Sequence, residues 1–413
     1  MFRSTRLSLV VLALAMLVVG CADDADNTNN DQNNQQQQAP PPGDYLVVFS
    51  QTDDGPGSLT VIDPAEAEVV FETSENLEGV NWGGVVSSPD SSKLFINERT
   101  SEQVFVFDTA TFELEAQLDV GERPVHIYNP NHRPEIWSHA DGEGAFYVID
   151  IETLAVSEPV TAALNNSGHG KLLYDHDLDP RAYATNTDDP AIFPIDLEAM
   201  QVGEPIELCG IEENGEVSGG THAKAYSRHN GYAYIQCRGG RHAIVDTESD
   251  EVLVDNMELS GRLVPSPDTR FLAVVDTAGD KVRVFDTVDG DGLSIDAEFD
   301  VAGEPHRLYY HETHDGKLVG FTPTLQNDDV AVIDFETMEV TERIEVGKLT
   351  KPEHAHHFTR WGEIGGGYFF TTSDEGIVIV DVATREVTGT VAISGTLGRM
   401  LYVEAEAGNH DHH

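Results

Sequence analysis

Of the 17 histidines in this chain, several recur at one point of a repeated pattern. His126 follows Pro124-Val125, His169 follows Ser167-Gly168, His222 follows Gly220-Thr221 and His306 follows Pro305, each at the head of a short apolar run. A fifth place belongs to His356 in Glu353-His354-Ala355-His356-His357, or to His354 if the register slips. Neutral imidazole is a ligand for borderline divalent transition metals, zinc above all. With Zn–N contacts of about 2.0–2.1 Å, three or four rings must converge on one point. A histidine at such a place can equally hydrogen-bond main chain, and the residues leave both readings open. Dozens of residues separate successive members, so whether they meet depends on the unit that repeats between them.

That unit is clearest from Pro305 to Gly347. Its pattern predicts a first strand from His306, a second at Leu318–Thr322, a third at Val330–Asp334 and a fourth at Val340–Val346, separated by Asp, Gly and Asn turns. The third strand ends in two apolar residues and Asp. The same ending recurs at Asp63, Asp108, Asp150, Asp196, Asp246, Asp286, Asp334 and Asp381, 40 to 50 residues apart. Four strands per period of this length describe the blade of a β-propeller. The count predicts an all-β, eight-bladed propeller spanning 44–405, with seven blades as the alternative. Tyr45–Phe49 resembles a second strand with no first, and Gly398–Glu404 a first strand with no successors. Pairing the C-terminal strand with the N-terminal blade closes the ring and leaves no open edge.

In such a ring the first strand of each blade lines the central channel, and its first residue lies at one mouth. His126, His169 and His222 then come from the consecutive blades three to five, with His306 and His354 or His356 on the opposite arc, while Gly83, Gly261 and Gly398 fill the other places. Turns between second and third strands open onto the same mouth and offer Glu98, His139, Asp188, Asp189, Asp276 and Asp374 as extra ligands or as groups that orient the imidazoles. Each of these is also an ordinary turn residue. His132, His176, His229, His311 and His314 fall later, toward the other mouth.

The flanking segments carry their own signals. Arg3 and Arg6, the apolar run Leu7 to Val19 and the Val18-Val19-Gly20-Cys21 boundary predict a signal peptide over 1–20. The boundary resembles a bacterial lipobox, which implies lipidation of Cys21 and a membrane attachment; an ordinary signal peptide or a short anchor is the other reading. Residues 21–43 are rich in Asn, Gln and Pro and predict a disordered tether. Residues 406–413 form a His/Asp tail that can capture a cation. Cys209 and Cys237 remain as an even pair and predict a disulfide in an oxidising compartment. With 73 acidic against 24 basic residues, the chain is excluded from nucleic-acid binding. No Walker loop, Gly-x-Ser-x-Gly elbow, His-Glu-x-x-His or EF-hand loop is present, nor any Cys-x-x-Cys.

Ser88-Pro89-Asp90, Leu94-Phe95-Ile96-Asn97 and Val104 to Thr111 resemble the Tyr-Val-Thr-Asn (YncE-like) propeller repeats over 44–405. The channel histidines, with Cys209 and Cys237 flanking Thr221-His222-Ala223, are similar to the periplasmic propeller zinc metallochaperones of ABC-type zinc importers. That resemblance implies zinc ligation by His222 and its ring neighbours, and a metal-transport protein as partner. Those chaperones carry their His/Asp tract near the N-terminus, whereas here it is C-terminal. The expectation is a lipid-anchored protein of the bacterial cell envelope, at the outer membrane and facing either the periplasm or the surface, that binds a metal rather than catalyses. A lactonase-type hydrolase and a metal-free interaction scaffold are the alternatives.

Overall fold

The computed structural model describes residues 39–52, 55–210, 219–349 and 362–404. Its strands form eight antiparallel sheets, and in seven of them four consecutive strands lie side by side in chain order. The eighth holds the seam: Thr396–Val403 pairs with Tyr45–Gln51, so the last strand of the chain becomes the inner strand of the first blade. The register runs from Tyr45 opposite Val403 to Gln51 opposite Thr396. Among the described residues no helix is long and apolar enough to cross a membrane.

Ring closure is written in the core. The apolar side chains of each strand alternate between its two faces, and each face must be buried against a neighbour. Eight hydrophobic clusters result, one at each junction between adjacent blades. The junction between last and first blades is as well filled as the rest, with Phe370, Ile377 and Ile379 packed on Leu46, Val48 and Met400. Seven blades are thereby excluded. Between blades one and two Trp82 is fully buried against Phe49 and Phe105, and its Nε1–H donates to the Ser50 carbonyl at 2.8 Å.

The recurring Asp has a local cause. In all eight copies its Oδ1 accepts from a main-chain N–H two or three residues on, as from Ala110 and Thr111 at Asp108 or from Ala383 and Thr384 at Asp381. In seven of the eight copies the turn leads into a residue four places after the Asp with positive φ, among them Phe112, Leu154, Met200 and Arg385 at +52° to +61°; Gly290, after Asp286, is the exception. An L-residue there costs about 1–2 kcal/mol, which the turn hydrogen bonds offset.

Two local differences from the sequence pattern are informative. The first strand of blade seven begins at Tyr309 rather than His306; Pro305 makes only an isolated bridge to Thr324, since its nitrogen has no hydrogen to donate. In blade four the outer strand is split into Gln201–Val202 and Ile206–Glu207, opposite a third strand that carries Pro194. Cys209 follows that broken strand and is disulfide-bonded to Cys237 of blade five, Cα to Cα 5.5 Å. The predicted disulfide thus ties two neighbouring blades.

Candidate metal centre

Blades three, four and five each send one imidazole to the same end of the axis. His126 stands in Pro124–Tyr128, His169 immediately before Gly170–Leu173, and His222 in Thr221–Ser227. The ladders slip by a residue after Pro124 and after Thr221, which turns the following side chains toward the axis. The neighbouring blades hold the main chain in place: Asn97 Nδ2 donates to the His126 carbonyl at 3.0 Å, and Thr185 Oγ1 to that of His222 at 2.8 Å. His169 is admitted by glycines. A Cβ on Gly168, where φ is +124°, would lie 2.0 Å from Asn186 Oδ1, and one on Gly170 would lie 2.3 Å from the Thr185 carbonyl oxygen.

The ring atoms converge. One ligand nitrogen from each of His126, His169 and His222 lies within 4.8 Å of the others. His126 Nε2 and His169 Nε2 are 3.1 Å apart, and the His169 and His222 rings stack at 4.9 Å. Nitrogens bound to one ion at about 2.0–2.1 Å lie no more than about 4.2 Å apart. The triad is therefore within sub-ångström movements of a common ligation point.

Asp141 sets the orientation. Its Oδ2 accepts from His169 Nδ1 at 2.7 Å and its Oδ1 from His139 Nδ1 at 2.9 Å. Burial pushes this carboxyl up, but the hydrogen bonds from His139 and His169 outweigh it and hold the group below the usual carboxylate range. An ionised Asp141 can only accept, so His169 carries its proton on Nδ1 and points the Nε2 lone pair at His126. His126 is held well below the usual histidine value, by burial first and then by the charges of His169, Lys171, His222 and His139. It is neutral at neutral pH, the form a metal requires.

Most of the turn residues singled out from sequence do other work. Glu98 accepts from the Asn81, Thr100 and Ser101 amides, Asp189 from Leu164 N–H and Asn165 Nδ2, and Asp276 pairs with Arg283. Asp188 lies 3.6 Å from Arg238, and Asp374 is a turn residue whose amide donates to the Lys348 carbonyl. A carboxylate at the end of a second strand is recruited by its own turn before it can reach the axis. His139 is fully buried behind the triad as a partner of Asp141. His306 belongs to blade seven, its amide bonded to the Pro323 carbonyl, and is not brought into the triad. His354, His356, Cys21 and the 406–413 tail lie outside the described residues.

Two features were not read from sequence. One is Asp141 itself, just past the end of the Glu135–Ala140 strand and two residues beyond His139, whose ring it meets. The other is basic. A cleft of about 490 Å³ opens over His169 and His222 and is rimmed by Arg99, Arg123 and Arg238. Beyond the triad stand Lys171, Lys224, Arg262 and Arg307, from blades four to seven. Burial, then the charges of Arg262, Arg307 and Lys224, hold the Lys171 ammonium well below its usual range. Burial lowers Lys224 to about 8, and burial with Arg307 lowers Arg262 to about 10.

No family model matches this chain. Solved structures do: the dihydro-haem d1 dehydrogenase NirN in complex with DHE, at 14% identity and a TM-score of 0.66, over 89% of this chain and 76% of that one. AztD of Citrobacter koseri, solved in its apo form, matches at 13% identity and a TM-score of 0.63, over 87% of this chain and 98% of that one. A computationally designed protein, Ika8, matches at 14% identity and 0.54, over 78% and 96%. At these identities the likeness is one of fold, and the chain is an eight-bladed β-propeller.

Proposed function

We propose that this chain is an extracytoplasmic, lipid-anchored propeller of the bacterial cell envelope that binds a divalent transition metal, zinc by preference, and hands it to a metal-transport protein. The observation that carries the reading is the convergence of His126, His169 and His222, with Asp141 fixing the tautomer of His169. Three neutral imidazoles suit Zn²⁺ better than Mg²⁺ or Ca²⁺, which take oxygen ligands. A site with three protein ligands leaves a fourth position open, as transfer to an acceptor demands. His354 or His356 of blade eight, and the His/Asp tail, are proposed as the residues that fill that position or deliver the ion. The disulfide fits an oxidising compartment, and the resemblance to propeller zinc metallochaperones supports the same assignment.

Zinc titration of the metal-free full chain against a competing chelator tests this. The triple variant His126→Ala/His169→Ala/His222→Ala should lose one tightly bound equivalent, and His354→Ala/His356→Ala should weaken that equivalent without abolishing it. Unchanged stoichiometry and affinity in the triple variant would refute the site, leaving a propeller that serves as an interaction scaffold.

A further inference from the structure

We propose that the axial channel beneath the three imidazoles binds a small multivalent oxyanion, a di- or tricarboxylate or a phosphate, on Lys171, Lys224, Arg262 and Arg307. The proposal goes beyond metal binding and does not depend on it.

Pairing statistics motivate it. With 73 acidic and 24 basic residues, a cation in this chain should find a carboxylate wherever it lies. On the outer surfaces it does: Arg133 pairs with Glu135, Arg181 with Asp250, Arg228 with Asp175, Arg270 with Asp286 and Arg343 with Asp329. The channel cations are different. Among the described residues, none of the four side chains has an ion-pair or hydrogen-bond partner, and the Arg307 Nε is buried with no acceptor.

Their placement is also specific. Lys171 and Lys224 each stand two residues after a triad histidine, and along Thr221–Ser227 the half-buried His222 and Lys224 alternate with the buried Thr221, Ala223 and Ala225. Arg262 and Arg307 continue the arc in the next two blades. The Lys224 ammonium reaches toward blades four and three, 5.5 Å from the Tyr174 ring and 6.0 Å from that of Tyr128. Four basic side chains gathered around one axis repel one another when charged, and a ligand that supplies negative charge offsets that repulsion. Carboxylate and phosphate oxygens accept from guanidinium forks and from ammonium groups alike. Arg99, Arg123 and Arg238 at the mouth draw such an anion through an otherwise repulsive acidic field. A polymer or a membrane surface would meet that acidic exterior first, so the ligand is one small enough to enter the axis.

The experiment is calorimetric titration of the metal-free full chain with citrate and with inorganic phosphate at low ionic strength, alongside thermal melting. One equivalent of at least one probe should bind, and the tighter of the two identifies the chemical class. Affinity should fall at least tenfold in Lys171→Met/Arg262→Met and in Lys224→Met/Arg307→Met, and should persist in the triple histidine variant. Both charge-removal variants should melt no lower than the unmodified chain in anion-free buffer, because mutual repulsion has been relieved. Absence of binding by both probes would overturn the proposal, as would equal binding in both double variants. Should a variant fail to fold, the unmodified chain still decides: its melting temperature must rise with a binding probe and not with chloride of equal ionic strength.

Discussion

Replacing Asp141 by Asn keeps the volume of the side chain but turns one of its two acceptors into a donor. His139 and His169 both give an Nδ1 proton to this carboxylate, at 2.9 and 2.7 Å. An amide can accept from only one of them, and its NH₂ faces the other. If the amide oxygen stays with buried His139, His169 must shift its proton to Nε2, where it opposes the metal. Loss of such an orienting partner costs about 10–100-fold in metal affinity, or roughly 1.4–2.7 kcal/mol. The same variant should be less stable at neutral pH, because hydrogen bonds to a charged acceptor contribute about 1.5–3 kcal/mol each. Asp141 is depressed in the folded state, so its contribution is present above the unfolded carboxylate value of about 3.9 and lost as pH falls through the folded value. The stability gap between the two proteins should therefore close in acid. Chelator competition measures the affinity, imidazole ¹⁵N shifts report the tautomer, and melting across pH reports the linkage. Unaltered zinc affinity together with an unaltered His169 tautomer would refute the reasoning.

Gly168→Ala should weaken both fold and metal site, by about 1–3 kcal/mol in melting, since the new methyl would meet Asn186 at positive φ. Cys209→Ala/Cys237→Ala removes a link across 28 residues and should cost about 3–4 kcal/mol in denaturant unfolding under non-reducing conditions. Met200→Gly, at an exposed positive-φ turn, should leave stability unchanged or raise it by about 1 kcal/mol. His126 is held neutral by burial, so the unfolded chain gains a proton that the folded one refuses as pH drops below about 6.5. Metal-free protein should lose stability there by up to about 1.4 kcal/mol per pH unit for this group, a slope that His126→Asn should flatten; an identical slope in the variant would contradict the assignment.

The fold was legible because its repeat has a mechanism. Each third strand ends in an Asp whose side chain closes the next turn, so selection on one local hydrogen-bond pattern prints eight copies into the chain. The triad was legible for a related reason: blades three to five keep an imidazole at the head of an inner strand. In blade seven the first strand starts at Tyr309, beyond Pro305, so the strand start read at His306 lies three residues too early. Glu98, Asp189 and Asp276 looked available because a lone sequence does not show which turn amides or arginines claim a carboxylate. Asp141 and the channel cations escaped for the opposite reason. For Asp141, Lys171 and Lys224 the signal was present, two residues beyond His139, His169 and His222, and for Arg262 and Arg307 one residue beyond Gly261 and His306, but the acidic total of the chain drew attention away from where its few basic residues lie.

The seam has a consequence for the order of assembly. Because Thr396–Val403 forms the axial wall of the first blade, that blade is complete only when strands roughly 350 residues apart in the chain have paired, about as long-range a contact as the fold contains. The triad draws on blades three to five, which are neighbours in the chain as well as in space. The three imidazoles therefore meet across two blade junctions, neither of which is the seam.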